Sequence, residues 1–208
     1  SFQIVVVCDG SKDGTPEIAE RKLKSTSQDS NVIHYENNQG KGRAVSVGMK
    51  SAQGSYSMFL DVDLSPPLRT LDRCDSAMRQ DEPLLIGSRA LDASTIAKHQ
   101  PWDRRPMGPI FTRLANQLLD LGFTDYTCGF KVFRRDVAQR IFENVTIDGF
   151  AFDAELLFLA DRFGYSVREV PVEWSHDPRN DLRIPSVPLR MMRDLCIIRY
   201  RDLVGVYE

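Results

Sequence analysis

Asp61-Val62-Asp63 follows directly on the apolar run Tyr56-Ser57-Met58-Phe59-Leu60. Alternate residues of an extended chain point to opposite sides, so both carboxylates meet one object only if the chain turns there. A strand end is where it can turn. Two carboxylates plus the phosphates of a ligand suit Mg2+ or Mn2+, hard ions that prefer oxygen donors and take part of their shell from substrate. So short a motif is common by chance, and its ordinary alternative is an acidic turn with solvated side chains. Context has to decide. A second cluster, Asp9-Gly10-Ser11-Lys12-Asp13-Gly14-Thr15, ends another apolar run. An Asp at a strand end, a Gly that permits a tight turn and a Thr-Pro helix start can place a carboxylate and free N–H groups beside a nucleotide; the alternative is a helix-capping loop. A third, Asn37-Asn38-Gln39-Gly40-Lys41-Gly42-Arg43, sets two glycines around a lysine where a helix begins. It suits a diphosphate or a base edge, or else is a flexible helix entry. It lacks the Gly-Lys-Ser/Thr ending of a P-loop, so an ATPase is not indicated. Gly87-Ser88-Arg89 closes a fourth run.

The elements needed to position these clusters are legible as a rhythm. Residues 4–8, Asn31–Tyr35, Tyr56–Leu60 and residues 84–86 read as strands. Between them lie helical patterns at Thr15–Lys24, residues 41–52 and residues 68–78, the first with Thr15 as N-cap and Pro16 in the first helical position. Such alternation implies an α/β fold with a mainly parallel sheet and helices on both faces. Ligands of such sheets bind outside the carboxyl ends of the strands, where three of these clusters fall: Asp9-Gly10-Ser11, Asp61-Val62-Asp63 and Gly87-Ser88-Arg89. After Arg89 the rhythm breaks. Residues 91–108, with Lys98, His99, Pro101, Arg104, Arg105 and Pro106, read as a long mobile loop. A helix over 110–121, a strand-like stretch over 125–133 leading into Arg134-Arg135, an apolar helix over 152–163 and a strand over 167–174 follow. Pro171 suits an edge position in that last strand. The segment Val187–Leu203 mixes Met191, Met192, Leu195, Ile197 and Ile198 with Arg190, Arg193, Arg199 and Arg201.

Composition bounds the function. The 208 residues are 42% hydrophobic and 27% charged, the balance of one globular α/β domain rather than a disordered chain. With 27 Lys+Arg against 29 Asp+Glu, the net charge of −2 argues against a protein that coats nucleic acid. No apolar run approaches the roughly 20 residues of a membrane-spanning helix. Cys8, Cys74, Cys128 and Cys196 are scattered without a Cys-x-x-Cys pair, which suggests reduced thiols in a cytosolic setting and makes Cys128 a small packed residue. The chain opens at Ser1-Phe2-Gln3, immediately before a core strand, which raises the expectation of a preceding segment.

The four clusters in their order resemble a family 2 glycosyltransferase of GT-A fold. Asp125-Tyr126-Thr127-Cys128-Gly129-Phe130-Lys131-Val132-Phe133-Arg134-Arg135 and Gly149-Phe150-Ala151-Phe152-Asp153-Ala154-Glu155-Leu156-Leu157 narrow the resemblance to the dolichyl-phosphate glucose and mannose synthase group, and most nearly to its β-glucosyltransferase-like members. The likeness runs from about residue 4 to the C-terminus. Two departures stand out. The Pro-Ala-Tyr-Asn-Glu-like strand end with which such chains begin is absent before Phe2. Asp177-Pro178-Arg179-Asn180-Asp181 stands where many relatives carry Gly-Ser-Lys.

The resemblance implies a GT-A domain over residues 1–178 lacking its first βα unit, followed over 179–208 by a loop and an amphipathic helix that lies at a membrane interface or packs in the core. It implies transfer of a hexose, from UDP-glucose first and GDP-mannose next, to a polyprenyl or dolichyl phosphate, with Mg2+ or Mn2+. Asp9, Gly10, Ser11, Lys41, Asp61 and Arg89 would bind the nucleotide-sugar, and Asp61 and Asp63 the metal. Arg89, Arg104, Arg105, Lys131 and Arg134 would face phosphate groups of donor or lipid, while Asp153 and Glu155 would sit beside the reacting sugar. In this scheme the acceptor oxygen attacks opposite the leaving diphosphate. A phosphate monoester, with its second pKa of about 6, arrives ionised and needs cations rather than a base. The expected setting is peripheral, on the cytoplasmic side of a membrane, or the cytosol if the acceptor is soluble. Three readings compete: transfer to a soluble or polymeric sugar, a nucleotidyltransferase, and a domain that binds nucleotide or lipid without turnover.

Overall fold

The computed structural model describes residues 2–26, 29–98, 107–175 and 187–207. Strand β1 (Val5–Asp9) pairs in parallel with β2 (Asn31–Tyr35) across helix α1 (Thr15–Lys24), and helix α2 (Lys41–Ser51) returns against β1. Gly14, not Thr15, occupies the N-cap of α1, in a left-handed conformation. Thr15 is the first helical residue, and its N–H donates to Asp13 Oδ1 at 3.2 Å.

A four-stranded sheet forms the centre, in the order β3 (Tyr56–Leu60), β6 (Phe130–Arg134), β4 (Leu84–Ser88), β7 (Val167–Pro171). β4 and β7 are parallel, whereas β6 runs antiparallel to both of its neighbours. Pro171 lies on the outermost strand, as its missing N–H requires. Residues 68–78 fold as a 3-10 turn (Leu68–Arg73) followed by the short helix α3 (Asp75–Arg79). The loop expected over 91–108 contains strand β5 (Thr95–Lys98), which pairs in parallel with β8 (Glu173–Ser175), so the single strand expected over 167–174 is two. His99, Arg104 and Arg105 lie outside the described residues, as do residues 177–181.

Four further helices follow among the described residues: α4 (Met107–Leu119), α5 (Arg135–Asn144), α6 (Phe152–Arg162) and α7 (Val187–Leu203), the last packed on α4 and α6. Helix α5 is absent from the reading of the sequence, although Val137, Ala138, Ile141 and Phe142 are all buried along one side of it.

Side chains of the central sheet alternate between two apolar layers, as period-2 geometry demands. Leu84, Ile86, Phe59 and Phe133 face the layer built by α4, α5, α6 and α7. Leu85, Phe130 and Val132 face the smaller layer with Cys74 and Ala77. Lys131, between Phe130 and Val132, therefore points toward α6. All four cysteines are free thiols. Cys128 is buried, and that burial pushes its thiol up to about 12.

Candidate active site

β3 ends in a tight turn, and that turn decides where its carboxylates go. The Leu64 N–H donates to the Asp61 carbonyl at 2.9 Å, and Leu64 adopts a positive φ of 49°. The Ser65 N–H caps Asp63 Oδ1 at 3.0 Å, while Val62 is thrown outward at 94% exposure. The chain turns where the sequence requires it to if both carboxylates are to share one side. Asp61 also packs against Gly129, just before β6, and a Cβ on Gly129 would overlap the Asp61 carboxylate. Only glycine permits this approach.

The ammonium of Lys41, in the first turn of α2, lies 2.7 Å from Asp61 Oδ1 and stands 5.8 Å from the Phe152 ring centroid. Burial would lower the pKa of Lys41, but Asp61, Asp153 and Asp63 around it outweigh that and raise it. Asp153, on the first turn of α6, is buried, and its Oδ1 accepts from Lys131 Nζ at 2.6 Å. Burial pushes the Asp153 carboxyl up, opposed by Lys131 and Lys41. Acids and bases thus alternate from the exposed turn inward: Asp61, Lys41, Asp153, Lys131.

Lys131 does not face an open surface. Its three protons go to Tyr126 O at 2.8 Å, Cys128 O at 3.0 Å and Asp153, and it is fully buried. The expectation that it touches a phosphate is corrected: it holds Asp153. Arg134 is also misplaced by that expectation, because the reversed strand carries it to the far end of the sheet. Phe130 pairs with Leu60 beside Asp61, whereas Arg134 pairs with Tyr56, four residues or about 13 Å along the strand. There its guanidinium grips both oxygens of Asp136 and the Asp81 carbonyl.

Glu155 is corrected in the same way. Two residues on from Asp153, it points about 200° around the helix, away from it. Its buried carboxylate accepts from Thr146 N at 2.9 Å, Ile147 N at 2.7 Å and Tyr207 Oη at 2.6 Å.

Asp9 ends β1 as expected, and its carboxylate accepts the N–H groups of Gln39 at 2.7 Å and Gly40 at 2.9 Å. The β1 end and the glycine-rich turn are therefore one unit, with Gly10 and Ser11 beside it, half-buried. The N–H groups of Gly42 and Arg43 are not free for a diphosphate, because both donate to the Asp148 carbonyl, at 2.8 and 3.3 Å. A Cβ on Gly42 would collide with the Ile147 carbonyl and with Phe152. The second glycine of the motif thus serves a close approach of α2 to the segment before α6.

At the end of β4, Arg89 makes a two-point pair with Asp125, Nε to Oδ2 at 2.7 Å and Nη2 to Oδ1 at 2.8 Å. It also reaches Thr127 Oγ1 and lies 5.6 Å from the Trp174 ring centroid. Burial works to raise the Asp125 carboxyl, and hydrogen bonding and charge pairing with Arg89 overcome this and hold it below the ordinary range. The sign follows: stability from this pair is present above about pH 4 and is lost as pH falls through the depressed native value. The gap in Tm between wild type and Asp125→Asn should therefore narrow between about pH 6 and about pH 3. A constant gap over that range would show that the pair contributes nothing through charge.

Asp61 and Asp63 give hard oxygen donors on one turn, and among the described residues no third carboxylate, imidazole or thiolate joins them. That set fits an ion such as Mg2+ or Mn2+ that completes its shell from a ligand's phosphates, not one held by protein alone.

The chain is similar to known proteins in sequence and in fold. The model of Glycosyl transferase family 2 matches residues 1–142. A dolichyl-phosphate beta-glucosyltransferase of Dictyostelium discoideum is 31% identical over 215 residues, covering 100% of this chain and 65% of its own length. That of Drosophila melanogaster is 33% identical, with 100% and 66% covered, and that of Homo sapiens 31%, with the same coverage. The chain spans about two thirds of these relatives. Among solved structures, mannosyl-3-phosphoglycerate synthase from Rubrobacter xylanophilus superposes with a TM-score of 0.67 at 17% identity, over 98% of this chain and 64% of its own. Glucosyl-3-phosphoglycerate synthase from Mycobacterium tuberculosis, in complex with Mn2+, UDP-glucose and phosphoglyceric acid, does so with a TM-score of 0.63 at 15% identity, over 94% and 68%. At such identities the likeness speaks for the fold alone.

Proposed function

The chain belongs to glycosyl transferase family 2 and has the GT-A fold, and from that premise we propose that it transfers glucose from UDP-glucose to a polyprenyl or dolichyl phosphate. The observation that carries this reading is the alternation of Asp61, Lys41, Asp153 and Lys131 at the carboxyl end of β3. Relatives over the whole chain are named for dolichyl phosphate and glucose, and a structural neighbour was solved with UDP-glucose and Mn2+.

Asp61 and Asp63 would hold a divalent ion, which when bound neutralises charge on a leaving diphosphate. Lys41 sets a second positive charge at the same carboxylate, where it meets donor phosphate oxygens as the pair with Asp61 opens. Asp9 fixes the turn that carries Lys41. Lys131 keeps Asp153 in one orientation facing Lys41. Arg89, 21% exposed at its side chain, is the described candidate for the acceptor phosphate, and Arg104 and Arg105 complete that proposal from outside the described residues.

Transfer from UDP-glucose and from GDP-mannose, each with a short polyprenyl phosphate and with free sugars, tests the reading. Mn2+-dependent glucosyl transfer to the phosphate is expected. Transfer to free sugars alone would replace the acceptor, and UDP-glucose binding without any turnover would favour a binding domain.

A lipid acceptor also requires access to a membrane surface. Among the described residues, no helix is long and apolar enough to cross a membrane. Helix α7 buries Leu195 and Ile198, while Leu189, Tyr200 and Leu203 are exposed along its opposite face with Arg193 beside them. Such a face can lie in a headgroup layer, apolar side down and arginine at the phosphates. Leu189→Glu combined with Leu203→Glu should reduce flotation with anionic liposomes by about tenfold or more. Unchanged flotation would remove α7 from the membrane contact.

A further inference from the structure

The end of α7 is tied to the site by an unbroken set of contacts that ordinary surface packing does not require. The helix stops in a Schellman turn: Gly205, at a φ of 75°, donates to the Asp202 carbonyl at 3.1 Å, and Val206 donates to the Arg201 carbonyl at 2.9 Å. The turn drops Tyr207 into the core at 2% exposure, its ring 5.9 Å from that of Phe158. Its hydroxyl then donates to Glu155 Oε1 at 2.6 Å. The other oxygen of Glu155 receives the N–H groups of Thr146 and Ile147, and Arg201 binds the Thr146 hydroxyl from the α7 side. One residue further on, the Asp148 carbonyl caps the N–H groups of Gly42 and Arg43, and the Ile147 carbonyl packs against Gly42.

These contacts leave the 146–148 segment held from both sides. Glu155 and Tyr207 fix its outer edge, and α2 leans on its inner edge. The α2 N-terminus has no side-chain cap of its own, so Asp148 is what satisfies its second and third N–H groups. Lys41 stands in that same turn.

We propose that Glu155 and Tyr207 are positioning residues, through which the end of α7 sets the placement of the Gly40-Lys41-Gly42 turn and so of Lys41 opposite Asp61. Neither residue touches the reacting groups. The proposal rests on Lys41 belonging to the donor site, and its first readout does not depend on turnover.

Tyr207→Phe keeps the ring on Phe158 and removes only the hydroxyl. Losing a hydrogen bond to a buried carboxylate is worth roughly tenfold in a local equilibrium. Amide hydrogen exchange at Gly42 and Arg43 should therefore rise about tenfold relative to Leu85 and Ile86 of β4. The Kd for UDP with Mn2+ should rise by about three- to tenfold, with KM for the donor affected more than kcat. Glu155→Gln, which keeps an acceptor for Tyr207, should give a smaller change than Glu155→Ala. Faster exchange confined to Thr146 and Ile147, with Gly42 and Arg43 unchanged, would overturn the proposal. So would an equal rise across β4, which would mark a general loss of stability. If exchange responds as expected but the chain binds no UDP, the coupling stands and the proposed donor site fails.

Discussion

Replacing Lys131 by methionine should lower the free energy of unfolding by about 3–5 kcal/mol, the usual cost of stranding one member of a buried ion pair. The side chain is fully buried, and its loss leaves the Asp153 carboxylate and the carbonyls of Tyr126 and Cys128 without their donor. It also removes a cation 5.4 Å from the Phe59 ring centroid. Methionine fills much of the same volume, so a cavity is not the main cause. The double variant Lys131→Met with Asp153→Leu should regain roughly half of the loss or more, since neither position then leaves a buried charge without its partner. Urea unfolding of both variants measures this directly. A single-variant cost below about 1 kcal/mol would put the pair on a level with exposed ones and would contradict its burial.

The second large effect separates two carboxylates that lie close together. On the proposed reading, Asp61→Asn should reduce kcat/KM with UDP-glucose and a polyprenyl phosphate by about 10²–10³, because a charge that would face the donor diphosphate and its ion is lost. Asp153→Asn should reduce it by only about tenfold. A general base is worth about 10²–10⁴, but an acceptor already ionised near neutral pH has no proton to give up. Asp153 is instead occupied by Lys131, and asparagine keeps an oxygen for that contact. Matched losses in the two variants would mean that Asp153 takes a proton after all, and a new pKa in the kcat profile would accompany them.

Much of this site was legible because its residues sit at strand ends, and strand ends are marked by where apolar runs stop. Asp9, Asp61 and Arg89 all fall there, and the turn that Asp61-Val62-Asp63 needs is present at Leu64. Direction was not legible. A run such as Phe130–Arg134 has the same pattern whichever way it lies in a sheet, so Arg134 was assigned to the wrong end. Burial of Lys131 was equally hidden, since a lysine in a strand reads as solvent-facing until α6 is known to cover it. Glu155 is different, because its signal was available. Two residues apart on a helix means opposite sides, and that geometry alone separates Glu155 from Asp153. Helix α5 was also within reach, through the spacing of Val137, Ala138, Ile141 and Phe142.

The placement of β6 between β3 and β4 has a consequence for how the chain is made. β6, one of the two inner strands of the four, is the third of them to emerge in sequence, after some 40 residues that follow β4. During synthesis β3 and β4 exist for that interval with no partner between them, and both carry apolar side chains and open ladder edges. Closing the sheet demands distant pairings, which are slow because the loop entropy is lost before the contacts form. The nascent first half is thus the stage at which this chain is most exposed to aggregation. The same insertion brings Gly129 and Lys131 to the Asp61 end, so the site is assembled in the step that ends the exposure.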